Sequence, residues 1–280
     1  MPEWGTSSFR PSQVGWNETA LVADGGPEEA GAPSREGASR HGVLFTTSWD
    51  DGHPLDIRIA AMLEDFGFVG TFYASTGPDG RRLISDKDLA RIGERHELGI
   101  HGRTHTIFPE LPDVQFADEI EWAAAELSRF GNVGRVVAPP RGKIDAAKRH
   151  SLARLGYVVR TGAIVAGAGV AENVLEPTFQ LYPHTWKTII RNYAYRRRAP
   201  SPPLLLAIAR AKSPRDRFKD MLLAAGRRSS CVHVWGHAAD LERLDLWETL
   251  RDVLRTAAEL GLIPVSNGEG FSRLKDRNDP

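Results

Sequence analysis

The chain has 280 residues, 41% of them hydrophobic, with 36 Lys or Arg against 36 Asp or Glu. That length supports one good-sized core or two small ones. The balanced charge excludes a global attraction to nucleic acid or to a membrane. A single cysteine, Cys231, excludes an intrachain disulfide and gives no sign of an oxidising compartment. It sits in the apolar run SCVHVW and reads as a small buried hydrophobe. No stretch reaches the apolar length of a transmembrane helix. The first twenty residues lack the basic start and apolar run of a signal peptide. The expected location is therefore cytoplasmic.

Residues 1–40 are rich in Gly, Pro, Ser and Glu without strand or helix periodicity, which predicts a mobile N-terminal tail. From Gly42 the pattern changes. VLFTTSW predicts a strand, and PLDIRIAAMLEDFG a helix with a Gly stop. VGTFYAS is a strand, and SDKDLARIGERH a helix opening on an Asp/Ser cap. LGIH is a short strand, QFADEIEWAAAELSRFG an amphipathic helix, RVVAPP a strand, DAAKRHSLARLG a helix and YVVRT a strand. Later come the strand SCVHVW, the helix LWETLRDVLRTAAELG and the strand LIPVS. Alternating helices and short β-branched strands predict parallel β/α units, as a barrel or an open sheet. Functional groups then belong at the C-terminal ends of the strands.

One region breaks this rhythm. Residues 187–228 carry twelve Lys or Arg against two acids, Asp216 and Asp220, and include the helix-like LLLAIARA and RFKDMLLAAGRR. They read as a basic insertion, either an ordinary solvated one or a docking surface for an anion such as a lipid phosphate, a nucleotide diphosphate or an acidic leaflet.

Four polar clusters fall at expected strand ends: Asp50-Asp51, His101 to His105 (HGRTH), Ala138 to Gly142 (APPRG) and His233 to His237 (HVWGH). Residues four apart on an extended strand are separated by ~13 Å, too far to share an ion. In HGRTH the second residue is Gly102, which lets the chain curl and bring His101 and His105 together. His233 to Trp235 stays extended, so His233 and His237 are not expected to be co-ligands. Two imidazoles and one carboxylate make a facial triad that suits Zn²⁺ or a similar divalent ion. Of Asp50 and Asp51, one can bind the cation while the other takes a proton from metal-bound water. His237 could then protonate the leaving group.

These blocks resemble a known family. TTSWDDG is similar to the T-F-D-D-G block of the polysaccharide deacetylases, the nodulation-protein-B homology family of carbohydrate esterases. GIHGRTH resembles their H-[ST]-x-x-H block, VAPPRG the R-P-P-Y-G block, and HVWGHAADLE a variant of the late histidine block. They run in family order from about Val43 to Phe271.

The resemblance implies a distorted (β/α)7 barrel over residues 41–280 and metal-dependent removal of an N-acetyl group from an amino sugar. It implies Asp50 as base and His237 as acid, with His233 in reserve or else a core histidine under the site. It implies Asp51, His101 and His105 as ligands of Zn²⁺, with Co²⁺, Fe²⁺, Ni²⁺ or Mn²⁺ as alternatives. The backbone N–H of Arg141 would help hold the oxyanion, and Pro140, Trp235 and His233 join it on the substrate side. His53 is expected to cap or pack at a helix start.

The chain departs from the family pattern in three places. Ala138 stands where the third block opens with arginine, so the group that orients and tunes the base is expected to be missing. Arg141 replaces a tyrosine. RTGAIVAGAG occupies the region of the Asp-Trp block. The expected partner is a small or lipid-linked acetamido sugar, with no nucleic acid, no obligate protein partner, and peripheral membrane contact through the basic segment. The alternatives are a deformylase or other non-peptide C–N hydrolase of the same superfamily, and an inactive sugar- or lipid-binding barrel.

Overall fold

The structure is a computed structural model. It describes residues 42–75, 83–164, 169–195, 202–227 and 229–278. The expected tail, residues 1–40, lies outside them, as do Arg196, Arg197, Arg198 and Arg228 of the basic insertion.

Strand β1 (Leu44–Asp51) is the longest strand, buried along its length up to Asp50. Helix α1 (Asp56–Asp65) follows, then β2 (Thr71–Ala74), α2 (Asp86–Gly93), β3 (Glu97–Ile100), α3 (Asp113–Leu127), β4 (Val133–Val137), α4 (Ala146–Arg154) and β5 (Val158–Arg160). Next are three short strands, β6 (Gly169–Ala171), β7 (Val174–Glu176) and β8 (Phe179–Gln180), and three helices, α5 (Trp186–Tyr195), α6 (Pro202–Arg210) and α7 (Pro214–Gly226). The described chain closes with β9 (Cys231–Gly236), α8 (Ala238–Arg243), α9 (Trp247–Glu259), β10 (Ile263–Pro264) and α10 (Asn267–Asn278).

The sheet runs β6-β7-β5-β4-β3-β2-β1-β9-β8, with β10 also paired to β1. All pairings are parallel except β6 with β7. This is the curled parallel sheet of the distorted (β/α)7 barrel. Strands flanked by helices have both faces buried, which explains the unbroken Leu-Phe-Thr-Thr-Ser-Trp run of β1. Gly99 in β3 is required by close packing, since a Cβ there would lie 2.4 Å from the Tyr73 ring.

Three helix starts, those of α2, α4 and α7, follow capping chemistry. Ser85 accepts from the Asp88 amide at 3.1 Å, Asp145 from Lys148 at 2.8 Å, and Ser213 from Asp216 at 3.1 Å. His53 Nδ1 accepts from the Leu55 amide at 3.2 Å, so it packs at the start of α1 as expected. Ile59 and Leu63 of α1, Ile120 and Leu127 of α3, and Leu250 and Leu254 of α9 join one core against the sheet.

Register sets the active rim. Trp49 pairs with Gly236, Asp51 with Ala74, Ala74 with Ile100, and Ile100 with Val137. The C-terminal ends of β9, β1, β2, β3 and β4 are therefore level, and the residues that follow them share one edge of the sheet.

Candidate active site

The site begins where β1 runs out. Asp50 is 4% exposed. The next residue, Asp51, has a left-handed φ of 82°, and Gly52 continues the turn at 64°. A left-handed backbone at a non-glycine residue is strained and persists where surrounding structure enforces it. Of the five such residues among those described, three carry expected site roles: Asp51, His105 (58°) and Arg141 (55°).

After β3, Gly102 at φ 76° turns the chain sharply, and His105 swings back toward His101. The two imidazole centroids lie 4.9 Å apart. His101 Nε2 is 3.2 Å from Asp51 Oδ1, and His105 Nε2 is 3.3 Å from the same oxygen. His101 Nδ1 donates to the Ala138 carbonyl at 2.6 Å. That bond leaves the Nε2 lone pair of a neutral His101 facing the carboxylate.

Two electron-pair donors aimed at one carboxylate oxygen have no shared proton unless an imidazole is charged. A cation resolves this. One ligand atom from each of Asp51, His101 and His105 lies within 4.8 Å of the others, and the two-nitrogen, one-oxygen set fits a divalent metal. Burial opposes charge on Asp51, but the adjoining His101 and His105 side chains hold its carboxyl well below the usual carboxylate range.

The histidine loop is pinned from α3. The buried Glu119 carboxylate accepts from the backbone N–H of Arg103, from the Thr104 N–H at 3.1 Å and from the Thr104 hydroxyl at 2.9 Å. Sequence reasoning missed it, because a lone Glu on the amphipathic pattern of α3 reads as solvent-facing.

Asp50 is gripped by Arg160, whose Nη2 donates to Asp50 Oδ1. Arg160 is 2% exposed at the end of β5, its guanidinium 4.6 Å from the Trp235 ring and 5.1 Å from the Tyr73 ring. This corrects the expectation that the base lacks its orienting arginine. Ala138 lends only its carbonyl, while the guanidinium arrives one strand later, at the end of β5, as the first residue of RTGAIVAGAG.

His237 follows β9 as the residue before α8. Its Nε2 is 3.9 Å from Asp51 Oδ2, and its Nδ1 is 3.4 Å from Asp240 Oδ2. Burial alone would lower the imidazole pKa, but the carboxylates of Asp240, Asp50 and Asp51 raise it above its ordinary value. Asp240 is in turn lowered, first by His237 and also by Arg243. The pair Asp240–His237 was not foreseen, although its i, i+3 spacing at the start of α8 was a readable signal.

The remaining expected residues divide. Trp235 is mostly buried, donates from Nε1 to the Ala163 carbonyl at 2.6 Å and meets the His237 ring edge-on at 5.5 Å. Pro140 is buried and Arg141 is exposed beside it. His233 does not reach the rim. It is 0% exposed within β9, with Nε2 2.9 Å from the Ser48 hydroxyl and its backbone N–H bonded to Thr178 Oγ1. Its assignment to the substrate side, and its reserve role as acid, are corrected by that burial. It shares a strand face with Trp235 but lies two residues deeper in β9, while Trp235 and His237 fall toward the exit.

The family model described as polysaccharide deacetylase matches residues 39–159. No curated protein is significantly similar to the chain in sequence. Among solved structures, a peptidoglycan N-acetylglucosamine deacetylase in complex with an N-hydroxybenzamide is 13% identical with a TM-score of 0.56, over 82% of this chain and 89% of that one. The chitin deacetylase of Colletotrichum lindemuthianum is 16% identical with a TM-score of 0.55, over 83% and 88%. A family 4 carbohydrate esterase pseudoenzyme of Bacillus anthracis is 14% identical with a TM-score of 0.50, over 82% and 66%. These likenesses carry the fold. The stretch matched by the family model spans the Asp50-Asp51, His101-His105 and Ala138–Gly142 blocks.

Proposed function

We propose that the chain is a metal-dependent hydrolase that removes an N-acetyl group from an amino-sugar-containing substrate. The observation that carries this reading is the convergence of Asp51, His101 and His105 within 4.8 Å, next to two separately supported proton-transfer groups. A divalent cation held there, Zn²⁺ by its preference for this ligand set, would acidify water and polarise the amide carbonyl.

The rest of the chemistry belongs to the protein. Arg160 occupies Oδ1 of Asp50, which leaves Oδ2 to accept the proton of the attacking water. His237 presents Nε2 to the site while Asp240 faces its Nδ1, so the ring is oriented to deliver a proton. Hydroxide oxygen bonds to the carbonyl carbon, the C–N bond breaks, and His237 protonates the departing nitrogen. Acetate and a free amine result. The Arg141 backbone N–H, at a left-handed turn on the same rim, is assigned to the developing oxyanion. Trp235 walls the site beside His237 and stacks on Arg160.

The proposed substrate is a small or lipid-linked acetamido sugar of the cytoplasm, a setting consistent with the single buried thiol. No helix among the described residues is long and apolar enough to cross a membrane.

A panel of N-acetylglucosaminyl compounds, N-formyl amines and ureides tests the proposal, with acetate, formate and amine release as readouts. Acetate release that Asp50→Asn reduces at least ~100-fold is expected. Formate or ureide cleavage without acetate release would replace the reading by the deformylase or C–N hydrolase alternative. No turnover at all would favour an inactive barrel.

A further inference from the structure

Seven large hydrophobic side chains stand exposed among the described residues, and four fall between 186 and 206: Trp186 (57%), Ile190 (48%), Leu205 (38%) and Leu206 (46%). The other three, Leu83, Val114 and Leu155, are scattered singly, as is ordinary for a surface. Trp186 and Ile190 are one helical turn apart on α5 and share a face. Ile189 of α5 and Ile208 of α6 are buried. Each helix therefore already has an inner apolar contact, and the outward hydrophobics serve something else.

Charge indicates what that is. Exposed Lys187 and Arg191 flank Trp186 and Ile190, and exposed Arg210 and Lys212 follow the leucines of α6. Residues 187–228 hold twelve basic side chains and two acidic ones in a chain with 36 of each, so the remainder holds 24 basic against 34 acidic. The neutral total conceals a strongly basic segment on an acidic body, which orients the molecule toward an anionic surface.

We infer that α5 and α6 form a docking surface for an anionic lipid bilayer, with Trp186, Ile190, Leu205 and Leu206 entering the headgroup boundary and the flanking cations meeting lipid phosphates. Aliphatic side chains interleaved with cations match an interface that is apolar below and anionic above. Trp is suited to that boundary because its ring is apolar and its N–H polar. A nucleic acid would satisfy the cations and leave the isoleucine and leucines in water.

The surface starts close to the site in the chain. Gln180 of β8 pairs in register with Trp235, and its side chain bonds His184 at 2.8 Å. Trp186 is two residues further on. Arg217 of α7 donates to the His184 carbonyl at 2.6 Å and ties the basic segment to the start of α5. Docking does not depend on the chemistry proposed above, since an inactive barrel would dock equally well.

The test is vesicle flotation of the full chain on phosphatidylcholine alone and on phosphatidylcholine doped with phosphatidylglycerol, over a salt series, with a DNA duplex as competitor. The expected result is binding to doped vesicles only, lost progressively with salt. The paired changes Trp186→Ser with Ile190→Ser, and Lys187→Glu with Arg191→Glu, should each weaken it about tenfold or more while far-UV circular dichroism is unchanged. If either pair misfolds, Leu205→Ser with Leu206→Ser and the wild-type salt series decide. No binding to doped vesicles, equal binding to neutral ones, or displacement by DNA at equal charge concentration would overturn the inference. So would unchanged binding by the folded variants.

Discussion

Arg160 stands 110 residues after Asp50 in the chain, yet its guanidinium donates directly to the Asp50 carboxylate, and both side chains are nearly inaccessible to water. A carboxylate buried beside Asp51 needs such a partner to satisfy and fix it. The family places an arginine at the position of Ala138; here the same carboxylate is reached from the end of β5.

Arg160→Met should therefore destabilise the fold by about 3–5 kcal/mol, because it strands a buried charge. Adding Asp50→Asn to it should recover much of that loss. Urea unfolding of the two single variants and the double checks this. Additive losses would show that the pair is not coupled.

Glu119 fixes the turn that carries His105, through three donors from Arg103 and Thr104. Glu119→Ala should weaken divalent metal affinity about 10–100-fold with little change in secondary structure. Competition against a chromophoric chelator measures it without recourse to activity. Wild-type affinity in a folded variant would remove Glu119 from that role.

Asp240 raises the His237 pKa and is itself lowered by the pairing. An acid that must carry its proton loses function as pH rises through its pKa. Asp240→Asn should therefore move the alkaline limb of the activity profile to lower pH. The pair's contribution to stability runs in the same sense. The part due to protonated His237 is fully present below the ordinary histidine pKa and is lost as pH rises through the raised value. An unmoved alkaline limb would mean that another group supplies the proton.

Asp56 is 1% exposed at the start of α1, and burial, then the charges of Asp51 and Asp50, raises its pKa well above the ordinary carboxylate value. The fold favours the protonated form. Stability from that preference is present below the ordinary carboxylate pKa and lost as pH rises through the raised one. Asp56→Asn should match wild type in acid and exceed it by about 1–3 kcal/mol at alkaline pH. Thermal melts across pH decide, and a gain that does not grow with pH would contradict this account.

The β/α alternation was legible because β1 to β5, β9 and the helices between them have clean apolar patterns and recognisable caps. The elements that escaped are the short strands β6, β7 and β8 and the helices α5, α8 and α10. Strands β6 and β7 have three residues each and β8 has two, too few for alternation to register. Helix α8 is only six residues long. The sequence placed the metal-ligand candidates on one rim because each sits next to a strand end. Arg160, Glu119 and Asp240 support them through tertiary or local contacts that no spacing rule combines with the motif. His233 shares a block with His237, and only the strand's path separates the core imidazole from the rim imidazole.

The most direct measurement is metal content of the purified chain together with acetate release, before and after chelation, for wild type and His101→Ala. The account predicts a bound divalent ion and activity in wild type, both removed by chelation and restored by Zn²⁺, and both lost in His101→Ala. Undiminished acetate release from chelated enzyme or from His101→Ala would contradict it.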